Sequence, residues 1–179
     1  LAAHGCGAVS ISKDENATVL NVDMGGGTTK LSLIKQGSVT GTAAISVGAR
    51  LIAFNSDDML TRVEKPAEMM MRSLGHDVAV GQNMDDDAKE EFAKLQASVL
   101  AEALKGGELS SLAQSLLITA PLPGYGGPQE IDYVVCSGGV SEYIYGHDVS
   151  SYGDVGPWLG KHIRQHLAEI FKAGVLRES

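Results

Sequence analysis

Apolar and polar positions alternate along the first third of the chain and cycle every three to four residues through its middle. In "ATVLNVD" (17–23), Val19, Leu20 and Val22 form a short apolar run bounded by Asn16 and by glycines, which predicts a buried strand. "TTKLSLIKQG" (28–37) sets Leu31 and Leu33 against Lys30 and Ser32, a period of two that predicts a second strand. Gln36-Gly37 is a turn signal, and "SVTGTAAISV" (38–47) follows as a third strand. Residues 50–54 and 59–64 flank "NSDD" as a further hairpin. Pro66 and Gly75 bracket a short helix over 66–74. "DDDAKEEFAKLQASVLAEALKGG" then has acidic residues at its start, where the backbone dipole favours them, and Gly106-Gly107 at its end. Ala88, Phe92, Leu95, Val99 and Ala103 make its apolar stripe. Strands are predicted at "SLLITAP" (115–121) and "IDYVVCSGG" (131–139), joined by "PLPGYGGPQ", with a short helix Ser141 to Tyr145 and a last helix over 157–173 that turns Ile163, Leu167, Ile170 and Phe171 inward.

Two glycine-rich turns interrupt this pattern. "VDMGGGTTKL" places three glycines between two strands, so the loop is a hairpin turn and not the strand-to-helix phosphate loop of P-loop or dinucleotide-binding folds. Its spacing matches neither motif, since Lys30 follows a threonine. Glycines supply the positive φ that hairpin turns use, and three in a row also clear side chains from the backbone. Asp23, at the end of the first strand, can hold the water of a metal ion, and Thr28 can hydrogen-bond a phosphate oxygen. A ligand-free glycine hairpin explains the loop equally well. The second turn, "VVCSGGVSEYIYG" (134–146), runs from a strand through Ser137-Gly138-Gly139 into a helix, where backbone amides can line a nucleotide; an ordinary tight turn is the plainer account.

At 179 residues the chain is one domain by the usual span of roughly 100–200 residues. Lys plus Arg total 14 against 22 Asp plus Glu, a formal charge of −8. That balance argues against nucleic acid and an anionic membrane surface, and leaves a neutral or cationic protein partner open. Cys6 and Cys136 lie far apart in apolar or small-residue surroundings and read as buried thiols. No apolar run reaches the roughly 18 residues of a membrane helix, and no signal peptide is evident. The chain opens on Leu, which reads as a fragment, with an intracellular protein as the expectation.

The order Asp-x-Gly-Gly-Gly-Thr hairpin, helical insertion, strand-Gly-Gly-helix resembles the actin, sugar-kinase and heat-shock-chaperone ATPase superfamily. Within it, "TVLNVDMGGGTTKLSLIKQGSV", "GARLIAF", "TRVEKPAEMM", "LLITAPLPG" and "VVCSGGVSEYIYG" resemble the ethanolamine utilization protein EutA family, reactivating factors of adenosylcobalamin-dependent ethanolamine ammonia-lyase. The likeness runs from about residue 5 to about residue 173. It implies an α/β, ribonuclease-H-like (actin-like ATPase) lobe, a mixed sheet with an antiparallel hairpin start and flanking helices. It implies ATP and magnesium as cofactors, with Asp23 and Thr28 as the catalytic positions. Asp23 would serve the metal, Gly25, Gly26, Gly27 and Thr28 the phosphates, and Ser137, Gly138 and Gly139 the adenosine. The first phosphate hairpin of the superfamily has no counterpart before residue 19, so the 179 residues are expected to be the second lobe, lacking the N-terminal one. The whole protein is then expected to be a slow ATPase that reactivates ethanolamine ammonia-lyase by exchanging damaged for intact cobalamin, while the fragment alone hydrolyses ATP negligibly. A cytoplasmic address follows, with association to the ethanolamine bacterial microcompartment left open. Rival readings are a sugar- or acid-kinase-type phosphotransferase, for which no compelling catalytic base is visible, and a non-catalytic assembly module. A helix is also expected between the last two strands, yet "PLPGYGGPQE" is too rich in Pro and Gly to form one; either that helix is short or 115–119 is not a strand.

Other residues have plainer explanations. His162 and His166 stand four apart, but without a third ligand they, like His4, His76 and His147, read as surface histidines. Asp85-Asp86-Asp87 reads as a helix start and Met69-Met70-Met71 as packing. "YGHDVSSYGDVG" (145–156) has no core explanation, and a partner-binding or cleft-lining role is weighed for it.

Overall fold

The computed structural model describes residue 5 and residues 7–178; Cys6 and His4 lie outside them. A helix, α1 (Ala8–Asp14), precedes three antiparallel strands, β1 (Val19–Met24), β2 (Thr29–Lys35) and β3 (Ser38–Ile45). A separate two-stranded ribbon, β4 (Ile52–Phe54) and β5 (Leu60–Val63), leads into α2 (Lys65–Ser73), the long α3 (Asp86–Lys105) and α4 (Ser111–Leu116). Then come β6 (Tyr133–Ser137), the short α5 (Ser141–Tyr145) and α6 (Gly156–Ile170). The main sheet runs β3-β2-β1-β6, with β6 parallel to β1 and a parallel bridge from Val134 to Leu176 beyond it. This is the ribonuclease-H-like, mixed α/β arrangement with an antiparallel hairpin start that the family resemblance implies.

Strand β1 lies second from the β6 edge and is covered on both sides, which is why "VLNV" is continuously apolar apart from Asn21. Val19, Ile34 and Val135 pack against Ala8 of α1 on one face, while Leu20, Val22, Leu31 and Leu33 join the larger core containing α3 and α6 on the other. The sequence reading missed α1: Gly7 stands at its N-cap with a φ of 76° and supplies no side-chain cap, so the usual start signal is absent.

Asp85 accepts from the Ala88 amide at 2.9 Å to start α3, and Asp86 pairs with Lys89, so the acidic cluster needs no metal. The buried face of α3 differs from the expected stripe. Ala88, Leu95 and Ala103 are only half-buried, whereas Lys89 and Gln96 are fully buried. The predicted strand at 115–121 is corrected: residues 115–116 end a helix, α4, and 117–121 form no strand beyond a single bridge. The Ser110 hydroxyl accepts from the Ala113 amide and caps α4, and past the helix the chain runs along the β3 edge, with Leu117 bridging to Ile45 and the Ile118 amide donating to Ala44 O at 2.9 Å. No helix spans 120–130, where a 3-10 turn covers Pro128–Glu130. Met70 and Met71 are buried as expected, but Met69 is exposed. Cys136 is buried. No helix among the described residues is long and apolar enough to cross a membrane.

Candidate functional site

Both glycine turns leave the sheet at the same place. Asp23 and Ser137 are Cα partners at the C-terminal ends of the parallel strands β1 and β6. Ligands of open α/β sheets collect outside such ends. The β1–β2 loop is a hairpin, closed by the Gly25 amide donating to the Thr28 carbonyl at 3.0 Å.

The expectation that its glycines supply positive φ is corrected: none of Gly25, Gly26 and Gly27 lies in the left-handed range. Packing does not require glycine at position 27 either, since an added Cβ would meet nothing closer than Leu51 at 4.0 Å. The carbonyls are what the fold holds. Gly26 O accepts from the Arg50 amide at 2.6 Å and Gly25 O from the Ala49 amide at 3.4 Å. Beneath them, a Cβ on Gly48 would lie 2.5 Å from Gly26 O, so only glycine fits there. Gly48 in turn donates to buried Gln96 Oε1 at 2.9 Å, which anchors the support loop to α3. No described residue accepts from the amides of Gly26, Gly27 or Thr28. With carbonyls held from below and side chains absent above, the loop presents bare donors.

At the second turn glycine is obligatory. Gly138 has a φ of +83°, and its Cβ would meet Met24 O at 2.3 Å and Asp23 Oδ1 at 3.0 Å. The close approach seats the turn directly on the end of β1. Ser141 caps it, its hydroxyl donating to Gly138 O at 2.6 Å. Ser137 Oγ donates toward Asp23 Oδ1 at 3.3 Å and accepts from Asn21 Nδ2 at 3.1 Å, a short polar ladder along the strand ends.

The two turns meet across a crevice of about 380 Å³, within the range of small-molecule sites. Gly25, Gly26, Gly139 and Val140 line it together with Ala49, Arg50, Glu142 and Tyr143. Asp148, Tyr152 and Asp154 close its rim, so the 145–156 loop does line the cleft. Ser137 and Gly138 face a neighbouring depression with Tyr145 and His147; Gly139 and Glu142 border both. Asp23, Gly27 and Thr28 flank these surfaces without lining either.

The rim loop is tied down from both sides. Gly153 O accepts from the Phe54 amide at 2.8 Å, and Tyr143 donates to Ser150 O at 2.8 Å. Burial, then the Asp154 and Asp148 carboxylates, pushes the Tyr143 phenol up to about 12. The Ser150 amide, then the Tyr152 hydroxyl, holds Asp148 below its ordinary range. Asp154 is buried, accepts from the Gly156 amide at 2.9 Å and lies 3.8 Å from Arg50 Nη1.

Sequence reasoning passed over Arg50, Gly48, Tyr143 and Asp154. "VGAR" directly precedes the β4–β5 ribbon, but only tertiary contact shows that it underlies the glycine hairpin. The histidines are not all at the surface: His162 is largely buried beside Glu90 at 3.1 Å and His166 is half-buried. No group of three metal-ligating side chains occurs among the described residues.

The family model described as "Ethanolamine utilisation protein EutA" matches residues 1–176. The chain belongs to the EutA family. Similar relatives are the ethanolamine ammonia-lyase reactivases EutA of Salmonella typhimurium, 34% identical over 173 residues, and Escherichia coli, 31% identical over 169 residues. Each likeness covers 93% of this chain but 35% of the relative, so the chain spans about a third of the length of the EutA relatives it matches. Among solved structures, it is similar to the apo psk41 parM protein (TM-score 0.39, 16% identity, 89% of this chain and 43% of that one). Component A of (R)-2-hydroxyglutaryl-CoA dehydratase of Acidaminococcus fermentans is comparable (TM-score 0.37, 16% identity, 98% and 60%).

Proposed function

We propose that the 179 residues form the second, nucleotide-binding lobe of an ATP-dependent reactivating chaperone for adenosylcobalamin-dependent ethanolamine ammonia-lyase, a cytoplasmic protein that exchanges damaged for intact cobalamin. The observation that carries this reading is the convergence of two glycine turns, at the ends of adjacent parallel strands, on one crevice. The residues fit a nucleotide by a test internal to the fold. Gly27 is glycine although neither its φ nor its neighbours demand it, and the amides beside it have no acceptor among the described residues. Unpaired donors cleared of side chains are what a phosphate group requires.

In this reading Gly25, Gly26, Gly27 and Thr28 hold the phosphates, and Ser137, Gly138 and Gly139 border the adenosine. Asp23 holds the water of a magnesium ion, its carboxylate oriented by Ser137. When bound, magnesium ATP supplies a terminal phosphate whose loss removes one set of contacts. The glycine hairpin would hold that phosphate from one side and an N-terminal lobe would hold it from the other. A ligand biases an equilibrium only through different contacts in its two states, so this loss is what would let the lobes part and act on the lyase. The hydrogen bonds from the Ala49 and Arg50 amides to the hairpin carbonyls would hold the hairpin in place during such a change.

The test uses the longer protein that carries this chain, with lyase inactivated on damaged cobalamin, intact cobalamin and magnesium ATP. Lyase activity is expected to return with ATP and to fail both without ATP and in Asp23→Ala. Recovery that ignores ATP and survives Asp23→Ala would contradict the proposal. Phosphate transferred to an added small acceptor would point to a phosphotransferase of the sugar- or acid-kinase type instead.

A further inference from the structure

We propose that Arg50 is the phosphate-binding guanidinium of the crevice, held beside Asp154 and available to the β- and γ-phosphates of a nucleoside di- or triphosphate. This rests on the nucleotide reading above and adds a residue to it.

The placement is built from the backbone outward. The Arg50 amide is fixed to Gly26 O at 2.6 Å, so the residue is tied to the hairpin it would assist. Its Cβ, Cγ and Cδ run alongside Gly26, 3.4 to 3.6 Å from where a Cβ on that glycine would sit. A side chain at Gly26 would therefore crowd the arginine stem. The guanidinium emerges at the crevice wall half exposed, while Asp154 behind it is buried.

Charge narrows its role. Glu142, Asp148 and Asp154 all line the crevice, and Arg50 is the cation among its lining residues. A polyphosphate entering beside three carboxylates is repelled unless cations offset them. Asp23 with a metal provides one such offset, and Arg50 is placed to give the other. The guanidinium carries five donors. Its contact among the described residues is the 3.8 Å approach to Asp154, too long for a hydrogen bond. An arginine serving only the fold would be expected to close on that carboxylate in a two-point pair; this one leaves its donors open toward the crevice. Lysine cannot reproduce the fork with which arginine meets two phosphate oxygens.

The experiment is titration calorimetry on the longer protein carrying this chain, comparing wild type, Arg50→Ala and Arg50→Lys with magnesium ATP, magnesium ADP and AMP. Arg50→Ala is expected to weaken ATP and ADP by on the order of tenfold to a hundredfold, leave AMP unchanged and keep the wild-type melting temperature. Arg50→Lys should fall between. ATP binding equal to wild type in Arg50→Ala, or an equal loss for AMP, overturns the role of Arg50 while leaving the nucleotide reading intact. Absence of binding by wild type to all three nucleotides overturns both.

Discussion

Two polar clusters flank the same long helix, and they differ in one respect that separates fold from function. Lys89 of α3 is buried with its ammonium 2.5 Å from Asp58, 3.0 Å from Asp86 and 4.3 Å from the centre of the Phe54 ring. Trp158 of α6 stands over it at 5.8 Å. Burial pulls this ammonium down, but the two carboxylates more than offset it and hold it above its ordinary range. Every strong interaction there is closed within the chain. At the glycine crevice, by contrast, the hairpin amides beside it have no acceptor and Arg50 has no close partner among the described residues. A cluster whose charges are matched internally explains the packing of α3, the β4–β5 ribbon and α6. One whose donors are left over calls for a ligand.

The largest expected effect lies in the closed cluster. Lys89→Ala should cost about 3 kcal/mol by urea unfolding, as large-to-small changes at buried sites do, and leave nucleotide binding per folded molecule unchanged. Because the folded group is raised, its stabilisation is complete below the ordinary value of 10.5 and is lost only as pH rises through the higher folded value. The difference in melting temperature between wild type and Lys89→Ala should therefore stay constant between pH 7 and 9; a Lys89-dependent change there would break the comparison.

Gly48→Ala joins the two regions. Its Cβ would enter the space of Gly26 O, so a loss of about 2 kcal/mol is expected, together with weaker ATP binding as the hairpin shifts. Gly27→Ala should separate the two effects: stability within about 0.5 kcal/mol of wild type, yet ATP binding several-fold weaker. A stability loss as large as that of Gly48→Ala would mean that the hairpin's glycines serve the fold after all. The smallest expected signal is hydrolysis by the 179 residues alone, which should be negligible. Turnover abolished by Asp23→Ala would show that these residues suffice.

Much of this was legible in local pattern. The alternation in "TKLSL", the capping Asp85 and the strand-Gly-Gly-helix order all act within a few residues, and they placed β2, α3 and α5. What failed was decided at a distance. Lys89 and Gln96 turn inward because Asp58 and Gly48 wait for them across the fold, and no periodicity shows such partners. The apolar "LLI" near residue 117 was ambiguous between strand and helix, as short apolar runs are: a helix capped by Ser110 ends at Leu116, and the extended Leu117 and then Ile118 lie against β3. At the site, Asp23 and the glycines could be picked out by motif, but their reason could not. Positive φ was the expectation, and open amides above a clamped carbonyl row is the arrangement found. Arg50 carried no motif.

The most direct test of the central claim is backbone hydrogen exchange on the longer protein, with and without magnesium ATP. The account predicts that the amides of residues 25–28 and 138–140 slow together, at the same nucleotide concentration, while those around Lys89 do not change. Protection of only one turn, or of neither while nucleotide is bound elsewhere, would contradict it.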